Sequence, residues 1–394
     1  MSDQRPIDQK MEQPTQESVN VDDPELVEGG DSLAPQSLTQ TQLIVREFKR
    51  HKLAVIGMII LAIMYVVALT CDFISPRDPN EVYSDYSYLR PQRIRLFHEG
   101  NWVGPFVYGV SSSRNPETLE KEFVPDTTVR YPVKFFAETN IEYKFLGLFE
   151  TNRKLFWAED EAPLYLLGAD RSGRDMFSRI LYGARISLTI GLVGVAISFI
   201  LGITISKLSG FYGGVVDEIF QRIIEFLISI PKLPLWMALS AVIPLGWPVI
   251  KTYFAITVIL SVVGWTGLAR VVRGKILALR EEEFALAAKA AGAPDVWIVF
   301  RHLVPNFMSY ILVNITLSIP AMILGETSLS FIGLGLQPPA ISWGVLLKNA
   351  QQVQVVANYP WLLLPGIFVI VVVLCFNFVG DGLRDAADPY ASMT

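Results

Sequence analysis

Long apolar runs with few charged residues recur along this chain and are separated by polar stretches. A helix needs ~20 mostly apolar residues to cross the hydrocarbon core of a bilayer. Six runs come close to this length: Leu53–Cys71, Ile186–Ser206, Phe226–Ile243, Thr252–Ala269, Phe307–Gly325 and Tyr359–Gly380. The third contains Lys232 and is expected to begin earlier, near Val215, as an amphipathic helix. The pattern predicts an all-α integral membrane protein with six transmembrane helices.

The runs and the stretches between them divide the chain into four predicted parts. Residues 1–40 are rich in Gln, Pro, Ser and acidic residues and cannot bury enough apolar surface to fold, which predicts a disordered tail. Residues 41–75 carry the first transmembrane helix, residues 76–165 form an extended extracytoplasmic segment, and residues 166–390 form a five-helix core. The segment 76–165 is polar, aromatic and proline-bearing, and it is long enough for a small fold of its own.

Lysine and arginine in the short loops predict the orientation, because cytoplasmic loops carry an excess of them. With the N-terminus in the cytoplasm, the inner segments hold twelve such residues and the short outer segments hold two, Lys251 and Lys348. Residues 72–185 are left out, since loops longer than ~60 residues cross regardless of charge. Both termini are therefore predicted on the inner side and residues 72–185 on the outer side.

Composition and motifs argue against an enzyme. Hydrophobic residues make up 51% of the chain and charged residues 18%, below the ~25% of soluble domains. The sequence contains no G-x-x-x-x-G-K-[ST], no H-E-x-x-H and no G-x-S-x-G. The three histidines lie outside the apolar runs, and Cys71 and Cys375 form no C-x-x-C pair. We therefore expect no catalytic residue, metal or cofactor in this chain.

The inner segment between the fourth and fifth runs has the pattern of two short helices. Three acidic residues, Glu281–Glu283, suit a helix N-terminus, and apolar residues follow at helical spacing. A Gly-Ala-Pro sequence at Gly292 breaks this helix, a second runs from Asp295 through Leu303, and Pro305 opens the next span. Such a helix–turn–helix can lie close against another protein, and a solvated amphipathic linker is the alternative.

Part of this segment resembles the EAA loop of binding-protein-dependent ABC importer permeases. The family motif reads Glu-Ala-Ala-x-x-x-Gly, nine residues, then Ile-x-Leu-Pro. Here it reads Leu286-Ala-Ala-x-x-x-Gly292, nine residues, then His302-Leu-Val-Pro305. The sequence departs from the family at Leu286 and His302, and Glu283 stands one helical turn before the missing glutamate.

Further motifs narrow the resemblance to the C-type permease subunit of dipeptide and oligopeptide importers. They stand in order along the chain as Leu167-Gly-Ala-Asp-Arg-Ser-Gly-Arg-Asp175, Gly210-Phe-Tyr-Gly-Gly214, Glu326-x-x-Leu-Ser-Phe-Ile-Gly-Leu-Gly-Leu-Gln-Pro-Pro339 and Phe376-Asn-Phe-Val-Gly-Asp-Gly-Leu-Arg-Asp-Ala-Ala-Asp-Pro389. The resemblance covers residues 41–75 and 165–390 and leaves 76–164 uncovered.

In that family two permease subunits form the channel, two ATPase subunits dock beneath it, and an external solute-binding protein delivers the substrate. The resemblance implies a bacterial inner-membrane permease for oligopeptides or a similar small polar solute, with oligosaccharides or nickel chelates as alternatives. The coupling residues it implies are Glu283, Phe284, Ala287, Ala288, Ala291, Gly292 and Pro305. A membrane receptor or scaffold that binds through its outer segment is the alternative class of function.

Four ionisable residues are candidates for the substrate pathway or for contacts at the outer face: Lys232, Glu326, Asp170 and Arg174. Ionisable groups within transmembrane segments usually face a cavity or a partner. For Lys232 the alternative is a misplaced helix boundary, and for Glu326 it is solvation at the end of the fifth span. For Asp170 and Arg174 the alternative is a capped helix start.

Small residues recur every four positions along the second run, at Gly194, Ser198, Gly202 and Ser206. In lipid, small residues let helix backbones approach closely, so the row favours helix packing over lining of the pathway.

Overall fold

The computed structural model describes residues 40–387 except 115, 117–120, 160–161 and 245. The predicted disordered tail lies outside this part of the chain, apart from residue 40. The helices are α1 Gln40–Arg50, α2 Lys52–Leu69, α3 Cys71–Ile74, α4 Met176–Tyr212, α5 Gly214–Ser229, α6 Lys232–Ser240, α7 Val249–Leu279, α8 Glu283–Ala290, α9 Asp295–Ile298, α10 Val304–Asn306, α11 Met308–Ile332, α12 Trp343–Lys348, α13 Val353–Asn358 and α14 Leu364–Ala387. The strands are β1 Arg95–His98, β2 Asn101–Arg114, β3 Lys121–Pro132, β4 Lys134–Phe145 and β5 Phe149–Trp157.

Within the described residues, five helical segments are long and apolar enough to cross a membrane: Lys52–Leu69, Met176–Ser206, Val249–Leu279, Met308–Ile332 and Pro360–Ala387. Helices α5 and α6 together are a sixth candidate, bent by 93° at the break between them. The expected continuous helix over Phe226–Ile243 is therefore wrong. Pro231 is the physical reason, because proline disfavours the helical conformation of the residue before it, and Ile230 is extended.

The row of small residues on α4 lies against α7. The hydroxyl of Ser261 donates to the Gly194 carbonyl at 2.9 Å, and Ser198 donates to the Ser261 carbonyl at 3.1 Å. Ser206 donates to the Ala269 carbonyl at 2.8 Å. The row therefore serves close packing of two parallel helices, as the packing interpretation predicted.

The segment 76–165, called the insert from here on, contains all five strands. Strands β1, β2 and β3 form one antiparallel sheet in that order, and β4 and β5 form a separate hairpin. The expectation of an all-α protein is wrong for this segment. Its strands are rich in Val, Thr, Tyr and Phe, which favour extended backbone. A search for apolar runs of transmembrane length does not detect strands this short.

Two buried cations tie the insert to the helices by donating to backbone carbonyls, and a third, Arg77, donates to the carbonyl of Ala162 within the insert itself. Arg179 of α4 donates to the carbonyl of Pro79 at 2.8 Å. Lys154 of β5 donates to the carbonyl of Ser75, just after α3, at 2.7 Å. Burial lowers the pKa of Lys154 from its ordinary value. A buried cation needs such partners, so the insert is held firmly on the end of the bundle.

The insert and residues 281–305 lie at opposite ends of the bundle. Ile276 near the end of α7 and Ile311 near the start of α11 belong to one buried cluster with residues of the 281–305 segment. Gly380 of α14 lies against Leu317 of α11, and α1 packs on the end of α14. These elements define the loop end of the bundle. The insert follows α2 and defines the insert end.

Candidate functional site

The segment 281–305, called the helical loop from here on, begins with α8, whose first residue is Glu283. This helix ends where the sequence predicts, because Gly292 adopts the left-handed conformation at φ +82°. The N–H of Ala293 donates to the Ala288 carbonyl at 3.1 Å, as is usual at a glycine C-cap. A Cβ at position 292 would meet no atom within 4 Å, so glycine is required by backbone conformation alone.

The second half of the loop is less regular than predicted. Instead of one helix from Asp295 through Leu303, α9 ends at Ile298 and a π-helical turn covers Val299–Leu303. The N–H of Val304 bonds to the Val299 carbonyl five residues back, and Pro305 has no N–H to restore the α-helical pattern. Pro305 therefore lies in the short α10 and does not open the span, which begins at Met308.

One face of the helical loop packs onto the bundle. Ala285, Ile298 and Leu303 are buried in a cluster with Val272 and Ile276 of α7, and the cluster continues into the start of α11. Close-packed interiors have low compressibility and transmit displacement. The loop, α7 and α11 are therefore built as one mechanical unit.

The opposite face of the loop is exposed and apolar, with Leu286 52% and Trp297 48% accessible. Its large side chains are Phe284, Leu286, Val296, Trp297 and Phe300. Contiguous exposed apolar surface marks sites of protein contact. Since this surface stands on a rigid base, it can act as a docking face.

The predicted coupling residues mostly belong to this docking face. Those exposed in the structure are Glu283, Phe284, Ala287, Ala291, Gly292 and Pro305. Ala288 is half-buried, because it packs against the cluster beneath the loop. Helical spacing alone did not find Leu286, Trp297 or Phe300. The signal that could have found them is the presence of large apolar side chains in an otherwise polar inner segment.

Asp170 and Arg174 lie at the insert end and organise the turn before α4. Asp170 is fully buried, and its carboxylate accepts the N–H of Ser172 at 2.8 Å and the Nε–H of Arg174 at 2.7 Å. The N-cap of α4 is Asp175, which accepts the N–H of Ser178 at 2.8 Å. Burial raises the pKa of Asp175. The geometry is the capped helix start, and Asp170 presents no surface to a partner.

Glu326 is neither solvated nor open to a cavity in this structure, because it is fully buried. Its carboxylate accepts hydroxyl hydrogens from Ser342 at 2.7 Å, Ser330 at 2.8 Å and Ser187 at 3.3 Å. The alternative of solvation at the end of the fifth span is therefore wrong. The reason is the chain after Gly333, which folds back over Glu326 and carries Ser342 to it.

Lys232 is exposed and is the first residue of α6, directly after the break at Pro231. The structure thus agrees with the misplaced helix boundary that the sequence left open. Among the described residues, no group of three or more His, Cys, Asp or Glu is placed to hold a metal ion.

A bundle of membrane-length helices with an exposed apolar face at one end is the architecture expected of a membrane-embedded subunit of a multi-component transporter. Comparison with known families agrees with this class. Residues 194–392 match the family described as "Binding-protein-dependent transport system inner membrane component", and residues 39–91 match "N-terminal TM domain of oligopeptide transport permease C". The chain belongs to this family of ABC importer permeases, in its dipeptide and oligopeptide C-type branch.

Curated relatives match over most of their length. The dipeptide transport system permease protein DppC of Bacillus subtilis is 32% identical over 91% of this chain and 88% of the relative. The protein of the same name from Lactococcus lactis is 33% identical over 92% of this chain and 95% of the relative. The oligopeptide transport system permease protein OppC of Bacillus subtilis is 40% identical over 56% of this chain and 70% of the relative.

Proposed function

We propose that this chain is one of two permease subunits of an ABC importer that carries oligopeptides across the bacterial inner membrane. Partner subunits hydrolyse the ATP. The observation that carries the proposal is the exposed apolar face of the helical loop on a base buried against α7 and α11. The peptide permeases that match this chain over most of its length support the choice of solute.

In the proposed mechanism, the docking face of each permease sits in a surface groove of one ATPase subunit. Phe284, Ala287 and Ala291 make the contact, and Gly292 sets the turn between the two helical pieces. When ATP closes the ATPase pair, the loop is displaced as a rigid lever. Because its base packs on α7 and α11, these helices follow, and the pathway opens to the outer side.

The loop end of the bundle is proposed to face the cytoplasm. The charge distribution of the short loops and the position of α1 and the end of α14 beside the loop support this orientation. The insert then lies outside, where a solute-binding protein delivers the peptide. Lys232 stays a candidate for the pathway, because broken helices at membrane depth line cavities.

Reconstitution of the assembled complex tests the proposal. Proteoliposomes with both permeases, the ATPases and the binding protein are expected to accumulate labelled oligopeptides only when ATP is supplied. Parallel uptake of an oligosaccharide and of a nickel chelate decides among the solute classes. Peptide uptake without ATP, or ATP-driven uptake of another solute alone, would refute the proposed function.

A further inference from the structure

The hairpin β4–β5 presents large apolar side chains to its surroundings. Its tip carries Leu146, Leu148 and Phe149, and the beginning of strand β4 carries Phe135 and Phe136. Leu148 is 75% exposed and Phe136 is 66% exposed. Apolar exposure concentrated on one small element marks a binding surface.

The turn at the tip holds a leucine in an unfavourable backbone conformation. Leu146 has φ +52° and Gly147 has φ +72°, and both belong to the three-residue connection 146–148 between the paired residues Phe145 and Phe149. Asparagine, aspartate or glycine is preferred at the first of these positions, because a branched side chain is strained there. Exposure of the Leu146 side chain to water does not offset the cost of this conformation. Contact with an apolar environment would offset it, so we infer that the tip is adapted to such an environment.

The apolar surface of the hairpin meets the outer end of a membrane helix. The ring of Phe73, in α3, lies 6.0 Å from the ring of Phe136 and 6.3 Å from the ring of Phe145. Phe73 stands four residues after the end of α2, whose exposed apolar row leads to it through Val66 and Leu69. Lys154 of β5 fixes this position through the Ser75 carbonyl. The exposed surface of the hairpin is therefore continuous with the apolar surface of α2.

We propose that the tip of the β4–β5 hairpin inserts into the leaflet at the insert end and forms an interfacial membrane contact beside α2. Lys134 and Lys144 are exposed on the same hairpin, Lys144 at 3.5 Å from the Glu150 carboxylate, and their ammonium groups can meet lipid phosphates while phenylalanine and leucine reach the acyl chains. The contact gives the insert a second attachment to the membrane and fixes its tilt above the bundle. A protein partner at this tip is the outcome that would contradict the proposal.

Spin labelling of the full chain in lipid nanodiscs tests the contact. The native thiols of Cys71 and Cys375 are buried, so a nitroxide reagent labels an introduced Leu148→Cys selectively. A matched control is Ser112→Cys, an exposed position of the other sheet. Phe149→Cys is a second tip position in case one substitution disturbs folding.

The collision rates of each label with oxygen and with a water-soluble nickel chelate give the result. For both tip labels the ratio of oxygen to nickel collisions is expected to exceed that of the Ser112→Cys label severalfold, because oxygen partitions into the bilayer. A ratio equal to the control would place the tip in water. Low collision rates with both reagents would place it against protein, and either result would overturn the proposal.

Discussion

Phe284→Asp is expected to abolish transport while the chain still inserts and folds in the membrane. The side chain is exposed on the docking face of α8 and is not a member of the buried cluster beneath the loop. In the proposed complex the new carboxylate has to enter an apolar groove without a partner. Loss of a central interface side chain costs at least ~2 kcal/mol, which corresponds to ~30-fold in affinity for the ATPase.

The measurement is ATP-driven uptake by cells or proteoliposomes, together with the amount of ATPase that copurifies with the permease. Val353→Asp is the control, because Val353 is an apolar and exposed residue at the insert end. The control is expected to keep normal uptake and normal copurification. Equal losses from both substitutions would mean that an exposed aspartate harms the protein anywhere, and the docking role would lose its support.

Glu326→Ala is expected to be the most destabilising single substitution at the insert end. The carboxylate accepts from three buried serines, and those hydroxyls in turn accept backbone N–H groups. Ser330 accepts from Leu336 at 2.9 Å, Ser187 from Trp343 at 3.2 Å and Ser342 from Val345 at 3.2 Å. Each buried group left unpaired costs ~1–3 kcal/mol, a large share of a typical stability of ~5–15 kcal/mol.

Thermal unfolding in detergent checks this expectation, with hydrogen exchange reporting on α12. Glu326→Gln keeps the volume and one acceptor oxygen, so a clearly smaller loss is expected. Glu218→Ala removes an exposed acid from α5 and is expected to change the melting temperature little. If Glu326→Ala melted like Glu218→Ala, the buried network would contribute nothing to stability.

The membrane helices and the helical loop could be predicted from sequence because their signals are local. An uncharged run of about 20 residues reports a span wherever it lies, and a glycine after an alanine-rich helix reports its end, as at Gly292. The break at Pro231 could also have been predicted from the local sequence, because proline disfavours helix in the residue before it. The prediction of a continuous third span was wrong because it gave the apolar run more weight than the proline.

The insert and the buried carboxylate could not be predicted, because long-range contacts decide them. Strands β4 and β5 gain their order by pairing with each other and by the contact of Lys154 with Ser75, 79 positions away. Glu326 at the end of an apolar run reads as solvated until Ser342 and Ser187 are brought to it by the fold. Residue type and spacing do not carry this information.

A photo-reactive amino acid at Ala287 tests the central claim most directly. Ala287 is exposed at the middle of the docking face, so the substitution leaves the buried cluster intact. On irradiation of the assembled importer, the permease is expected to become linked to an ATPase subunit, whereas the same group at Val353 forms no such link. Linkage of position 287 to the external binding protein, or no linkage to an ATPase, would contradict the account.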